Sequence, residues 1–257
     1  MIVQLFIVLS ILNHIVNSLQ ADDFYVHDLP LLPKEAYSIR MHAGQLPLDP
    51  KHTAVLFFWH FASKYIADQS RTVIWLNGGP GCSSLIGAWM AIGPFRFQDE
   101  NIIIENDGSW NMFANLLFVD QPVGTGFSYI DTDSRIHELD EMANHFLSFL
   151  DRYIEVFPEL LQNDIYLAGE SFAGQYIPYI AKEILTKRLN LKLRGLLMGN
   201  AYIDPMTIEY DLICNHWATE KMMDAMAWNN RTGFDMGNGR LAPLEPWIVD
   251  DEPVGLI

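Results

Sequence analysis

Residues 164–174 read Asp164-Ile165-Tyr166-Leu167-Ala168-Gly169-Glu170-Ser171-Phe172-Ala173-Gly174, and a helix-patterned segment, residues 175–188, follows. An apolar strand, a sharp turn carrying a serine between glycines, and then a helix are the parts of a nucleophile elbow. Serine is a weak nucleophile, so its hydroxyl must stand free at the C-terminal end of a strand where a histidine can reach it. Gly169 and Gly174 leave out side chains that would collide in so tight a turn. The following helix aims its first N–H groups and the positive end of its dipole at the site. The Phe172 N–H is therefore a natural oxyanion donor, with Ser171 as the nucleophile.

Working outward, residues 53–59 (Thr-Ala-Val-Leu-Phe-Phe-Trp) and 72–76 (Thr-Val-Ile-Trp-Leu) read as strands, rich in β-branched and aromatic residues. Residues 115–119 (Asn-Leu-Leu-Phe-Val) form an almost unbroken apolar run, as expected of a strand buried on both faces of a parallel sheet. Residues 195–199 repeat that pattern. Leu139, Met142, Ala143, Phe146, Leu147, Leu150, Tyr153, Ile154 and Phe157 recur at spacings of three and four, one helical stripe that Pro158 stops. Strands alternating with helices predict a doubly wound, mostly parallel α/β sheet with helices on both faces.

Two more Gly-rich loops follow predicted strands. Trp75-Leu76-Asn77-Gly78-Gly79-Pro80-Gly81-Cys82-Ser83-Ser84 precedes a helix-like run. Its consecutive glycines make a backbone-lined anion cradle, suited to a second oxyanion donor or to a substrate carboxylate. It lacks the Gly-Lys-Ser/Thr ending of a phosphate loop. The other, Asp120-Gln121-Pro122-Val123-Gly124-Thr125-Gly126-Phe127-Ser128-Tyr129, reads as a turn.

With 257 residues, half of them hydrophobic, the chain has enough material for one large core. A net charge of −16 makes nucleic acid and anionic lipid poor partners and would attract a basic peptide. Residues 1–21 read as a secretory signal: residues 2–11 are apolar but too few to span a bilayer, and Ser18 and Ala21 are small residues near a cleavage point. No later run is long enough to span a membrane, so a soluble mature product is expected. Cys82 and Cys214, the only cysteines, are compatible with one disulfide in an oxidising compartment. No metal-ligand spacing is present, and no cofactor is expected. Asn230-Arg231-Thr232 is a glycosylation sequon. Periodicity fades after about Met222, so residues 22–222 read as the catalytic-type domain and residues 223–257 as an irregular tail.

Taken together, WLNGGPGCSS, NLLFVDQPVGTGFSY, YLAGESFAGQYIPYIA and LLMGNAYIDP resemble the serine carboxypeptidases, α/β-hydrolase exopeptidases of the secretory pathway, including Golgi and vacuole. The likeness covers roughly residues 28–210 and leans toward the fungal Golgi subgroup that trims Lys and Arg from pheromone and prohormone peptides. It implies Ser171 as nucleophile, Gly79 and Phe172 as oxyanion donors, and Asn77, Gly78 and Glu170 as holders of the substrate's terminal carboxylate. A carboxyl group meets a carboxylate favourably only when a proton is shared between them, so mildly acidic conditions are expected to help. The implied partners are peptide or protein C-termini.

Departures from the resemblance shape the expectation. Ala91 stands where the family carries a second glutamate, and Ile86 stands where the Lys/Arg-trimming subgroup carries an acidic residue. Phe172 replaces a tyrosine, leaving the main-chain donor intact. The family's aspartate and histidine lie far downstream of the serine, whereas here only His216 follows Ser171, with Asp204 before it in an Asp-Pro turn. The expectation is an incomplete α/β-hydrolase domain, lacking its last strands and cap, with little activity of its own. A non-catalytic peptide-binding module and an acyltransferase or esterase on the same scaffold are the alternatives.

Overall fold

The computed structural model of the chain describes residues 19–32, 39–65, 70–131 and 136–203, and the backbone of 227–228, 231–232, 246–249 and 252–256. The first three strands are β1 (Met41–Pro47), β2 (Ala54–Phe61) and β3 (Arg71–Leu76). After them come helix α1 (Leu85–Met90), the hairpin β4 (Phe95–Asp99) and β5 (Ile102–Glu105), and strands β6 (Asn115–Asp120) and β7 (Tyr129–Ile130). Helix α2 (Leu139–Val156), strand β8 (Asp164–Glu170), helix α3 (Ala173–Lys187) and strand β9 (Lys192–Gly199) complete the first unit. The main sheet has the order β1-β2-β6-β3-β8-β9, with β7 also paired to β2.

Strands β6, β3, β8 and β9 are mutually parallel, and β1 and β2 add an antiparallel edge. The apolar run of β6 shows why. Leu117 and Val119 enter one core with Phe146, Leu150 and Ile177 from α2 and α3. Leu116 and Phe118 enter a second core, on the opposite face, with Ala88 of α1 and with Phe95 and Ile103 of the β4–β5 hairpin. A strand buried on both faces has no polar side to show, as the sequence predicts. This is the doubly wound α/β arrangement expected, with helices on both faces.

Helix α2 ends at Val156, and Pro158 opens a short 3-10 turn, Pro158–Gln162. Strand β1 is absent from the sequence reading because its Gly44, Gln45 and Pro47 blur the alternation. Phe24 explains Gly44: a Cβ there would lie 2.4 Å from the Phe24 ring, which packs on Phe58 at 5.4 Å. At the other edge, β9 carries no further strand among the described residues, and Leu197 is 42% exposed.

The chain divides into two compact units, Met1–Ala201 and Tyr202–Ile257. In the second, β10 (Ala227–Trp228) pairs antiparallel with β11 (Arg231–Thr232), and β12 (Pro246–Val249) with β13 (Glu252–Leu256). The sequence reading expects no strands in 223–257. Each of these is five residues or fewer, too short to show a period, although Trp247-Ile248-Val249 has strand-forming chemistry. The signal-like residues 1–18, Asp204, Cys214, His216 and the sequon's Asn230 lie outside the described residues. No helix among the described residues is long and apolar enough to cross a membrane.

Candidate active site

Strand β8 delivers Ser171 to the C-terminal end of the sheet, between β3 and β9. Ser171 takes the left-handed backbone conformation, φ +55°, which costs a serine on the order of 1 kcal/mol and is held by its surroundings. Its N–H donates to the Gly199 carbonyl at the end of β9 (3.1 Å), and its carbonyl accepts the Gly174 N–H (3.0 Å). Gly169 is obligatory: a Cβ there would lie 2.3 Å from the Leu76 carbonyl oxygen and 2.7 Å from the Ala173 Cβ. The elbow is thus pinned by both neighbouring strands and by the start of α3.

The loop after β3 closes on this elbow. A Cβ on Gly78 would sit 2.4 Å from the Phe172 nitrogen and 2.9 Å from the Ser171 Cβ, so only glycine permits the approach. Gly79 turns away with φ +108°. The two expected oxyanion donors, Gly79 and Phe172, therefore belong to backbone segments in direct contact. Asn77, 3% exposed, locks the same corner. Its Nδ2 donates to Glu170 Oε1 (2.9 Å), while its Oδ1 accepts from Trp75 Nε1 (2.7 Å) and the Gly87 N–H (3.1 Å). Two N–H groups facing one amide atom fix that atom as oxygen and turn the NH2 group toward the carboxylate. Ser84 Oγ accepts the Asn77 N–H at 3.1 Å.

The structure brings Ser171, Gly78, Asn77 and Glu170 together. It also adds Asp120, which the sequence reading leaves in a turn. The Asp120 carboxylate, 1% exposed, accepts from Ser83 Oγ (2.7 Å), the Ser84 N–H (2.8 Å) and the Phe127 N–H (3.0 Å). A buried carboxylate with three donors is satisfied, and it ties the loop after β3 to the loop after β6. Gly126 makes room for it, since a Cβ there would lie 2.0 Å from Asp120 Oδ2. The signal in the sequence was an acid placed directly after an apolar strand and before two glycines.

Glu170 is half-buried, and no second carboxyl group among the described residues is bonded to it. Ala91 caps α1 and is exposed. Ile86 and Met90 are 43% and 82% exposed, four residues apart on one face of α1. Tyr176, early in α3, lies beside Gly81 and Cys82, and burial pushes its hydroxyl up to about 12. Cys82 is exposed and forms no disulfide among the described residues. Among the described residues, no histidine is hydrogen-bonded to Ser171 and no cluster of His, Cys, Asp and Glu could hold a metal ion.

The serine carboxypeptidase family model matches residues 30–230. The chain belongs to the serine carboxypeptidase family. It is 58% identical over 189 residues to the pheromone-processing carboxypeptidase kex1 of Aspergillus oryzae. That match covers 72% of this chain and 30% of the relative. It is 53% identical over 210 residues to the pheromone-processing carboxypeptidase of Colletotrichum graminicola, covering 79% and 33%. Among solved structures, the prohormone-processing carboxypeptidase Kex1(delta)p of Saccharomyces cerevisiae superposes with a TM-score of 0.66 at 37% identity. That superposition covers 73% of this chain and 45% of the other. The fold is the α/β-hydrolase fold of this family. The chain spans about a third of the length of the curated relatives it matches.

Proposed function

We propose that this serine carboxypeptidase homologue carries the nucleophile and the carboxylate-recognition corner of an exopeptidase acting on peptide C-termini. The observation that supports this most is the Asn77–Glu170 hydrogen bond beside the elbow of Ser171. In the proposed reaction the Ser171 Oγ attacks the last peptide carbonyl while its proton passes to a base. The carbonyl oxygen becomes an anion facing the Gly79 and Phe172 N–H groups. The C–N bond breaks, the amine leaves with a proton, and water then hydrolyses the acyl-Ser171 ester. Asn77, Gly78 and Glu170 hold the terminal carboxylate, which restricts cleavage to the last bond.

The base is not among the described residues, so little turnover is expected of this chain by itself: removing a base costs several orders of magnitude in rate. Binding without turnover, a peptide-binding role, is the second reading, and the absence of a histidine contact to Ser171 among the described residues favours it. The likeness to pheromone- and prohormone-processing carboxypeptidases supports peptides as substrates and, with the signal-like residues 1–21, passage through the secretory pathway. The test is release of the C-terminal amino acid from a peptide with a free terminus. Release abolished by Ser171→Ala and by amidation of the peptide supports the reading; release that survives Ser171→Ala contradicts it. A fluorophosphonate probe reports the reactivity of Ser171 independently. Weak labelling is expected, and strong labelling lost in His216→Ala would make His216 the base.

A further inference from the structure

A second polar cavity lies at the opposite end of the sheet. It has a volume of about 170 Å³, and its wall includes Thr72 at the start of β3, Asn115 at the start of β6 and Asn163 just before β8. Those are the N-terminal ends of three parallel strands. Ser171 follows the C-terminal end of β8, seven residues away along an extended chain, or on the order of 20 Å. Nothing in the proposed reaction uses this cavity.

Its interior is apolar on one side and polar on the other. Phe157 supplies the apolar wall. His42, 4% exposed, presents a buried Nε2 that has no hydrogen-bond partner among the described residues. Its ring stacks on His60 at 5.8 Å, and the His60 Nδ1 pairs with the Tyr153 hydroxyl at 3.0 Å. A buried polar atom left alone costs roughly 1–3 kcal/mol, so a ligand or water that satisfied it would be favoured. At the rim stand two exposed side chains of opposite charge, Arg40 and Glu159. Neither makes an ion pair among the described residues, and they are not paired with each other.

We propose that this cavity binds a free α-amino acid, its carboxylate on Arg40 and the His42 Nε2–H, its ammonium on Glu159, and its side chain against Phe157. A simple anion would face the repulsion of Glu159 and a simple cation that of Arg40, whereas a zwitterion uses both. The size agrees: a cavity of roughly 150 Å³ holds the six carbons of benzene, so one of about 170 Å³ takes about seven non-hydrogen atoms, close to the eight of valine or the nine of leucine, whose charged groups would sit at the exposed rim. Both rim groups are exposed, so association is quick and the affinity modest. Ordered waters on His42 are the competing occupant.

The test is a thermal-unfolding titration of the whole chain with L-leucine, N-acetyl-L-leucine and L-leucinamide. L-leucine is expected to raise the melting temperature saturably, as a ligand of the native state must. The acetylated compound, lacking the ammonium, and the amide, lacking the carboxylate, are expected to bind at least tenfold more weakly. Arg40→Met and Glu159→Gln, both at exposed positions that leave the fold intact, are each expected to abolish the leucine effect. Asn77→Ala, at the other end of the sheet, is expected to retain it, which separates this cavity from the proposed peptide site. No saturable shift with L-leucine, or a shift unchanged in both rim variants, overturns the proposal and leaves the cavity to water.

Discussion

Asn77 and Glu170, 93 residues apart in the chain, meet through a 2.9 Å hydrogen bond that runs from one strand end to the next across the mouth of the elbow. The same Asn77 amide is anchored behind by Trp75 and Gly87, so Glu170 faces a donor whose direction is fixed. Asn77→Ala would strand the Trp75 Nε1–H and the Gly87 N–H in the core. Its expected cost is about 1–3 kcal/mol in stability, with a urea midpoint lowered at unchanged slope. Asn77→Asp would instead set a carboxylate against Glu170, so it is expected to be destabilised at neutral pH and to recover on acidification.

Asp120 holds the two loops of the site together, and its removal should be felt by both. Asp120→Ala leaves the buried Ser84 N–H and the partly buried Ser83 hydroxyl and Phe127 N–H without their acceptor, a loss of about 2–4 kcal/mol, as for unsatisfied donors. Chemical denaturation checks the magnitude. Asp120→Asn keeps the shape and part of the acceptor capacity and is expected to cost clearly less.

Gly78→Ala tests the contact between the loop and the elbow. The added methyl meets backbone, the Phe172 nitrogen at 2.4 Å and the Glu170 carbonyl oxygen at 2.8 Å, so the loop must retreat. Labelling of Ser171 by a fluorophosphonate and binding of a peptide with a free C-terminus should both fall by tenfold or more. Gly81→Ala is the control for that loop, because no atom lies within 4 Å of its added Cβ, although its φ of +86° carries a strain of its own.

The buried imidazoles predict a pH dependence of stability. Burial, first, and then the charges of His42 and Arg40 push His60 down from 6.5 to about 3, and burial also lowers His42. The unfolded chain binds these protons near pH 6.5 and the folded chain does not, so the native state is favoured above that pH. Stability should fall as pH drops from about 6.5 toward 3, by roughly 3 kcal/mol for His60 alone between pH 6.5 and 4. Melting temperatures measured across this window check the slope. The paired variant His60→Phe with Tyr153→Phe, which removes both hydrogen-bonding partners, should flatten it.

On α1, Ile86 and Met90 present an exposed apolar face that flanks Gly87 in sequence, and the Gly87 N–H holds Asn77. Peptides ending in leucine are therefore expected to bind better than peptides ending in arginine. Ile86→Asp should shift the ratio toward arginine by about two- to fivefold, the scale of an exposed ion pair. An unchanged ratio would place Ile86 away from the bound side chain.

The unbroken apolar run of β6 and the three-and-four spacing of α2 were legible in the sequence because both report a single burial geometry. The elbow was legible because strand, glycines, serine and helix occur in order. Asp120 was not, since its role depends on Ser83, Ser84 and Phe127 arriving from other segments. The His42–His60–Tyr153 cluster was invisible for the same reason: it joins β1, β2 and α2, and no local spacing announces it. The strands of residues 227–256 were missed because pairs of two to five residues carry no measurable period.

The claim most exposed to test is that Asn77 and Glu170 recognise a terminal carboxylate. The direct measurement is equilibrium binding, to the Ser171→Ala chain, of one peptide in two forms, free acid and C-terminal amide. The free acid is expected to bind at least tenfold more tightly than the amide, and Asn77→Ala should narrow that margin. Equal binding of acid and amide would contradict the account.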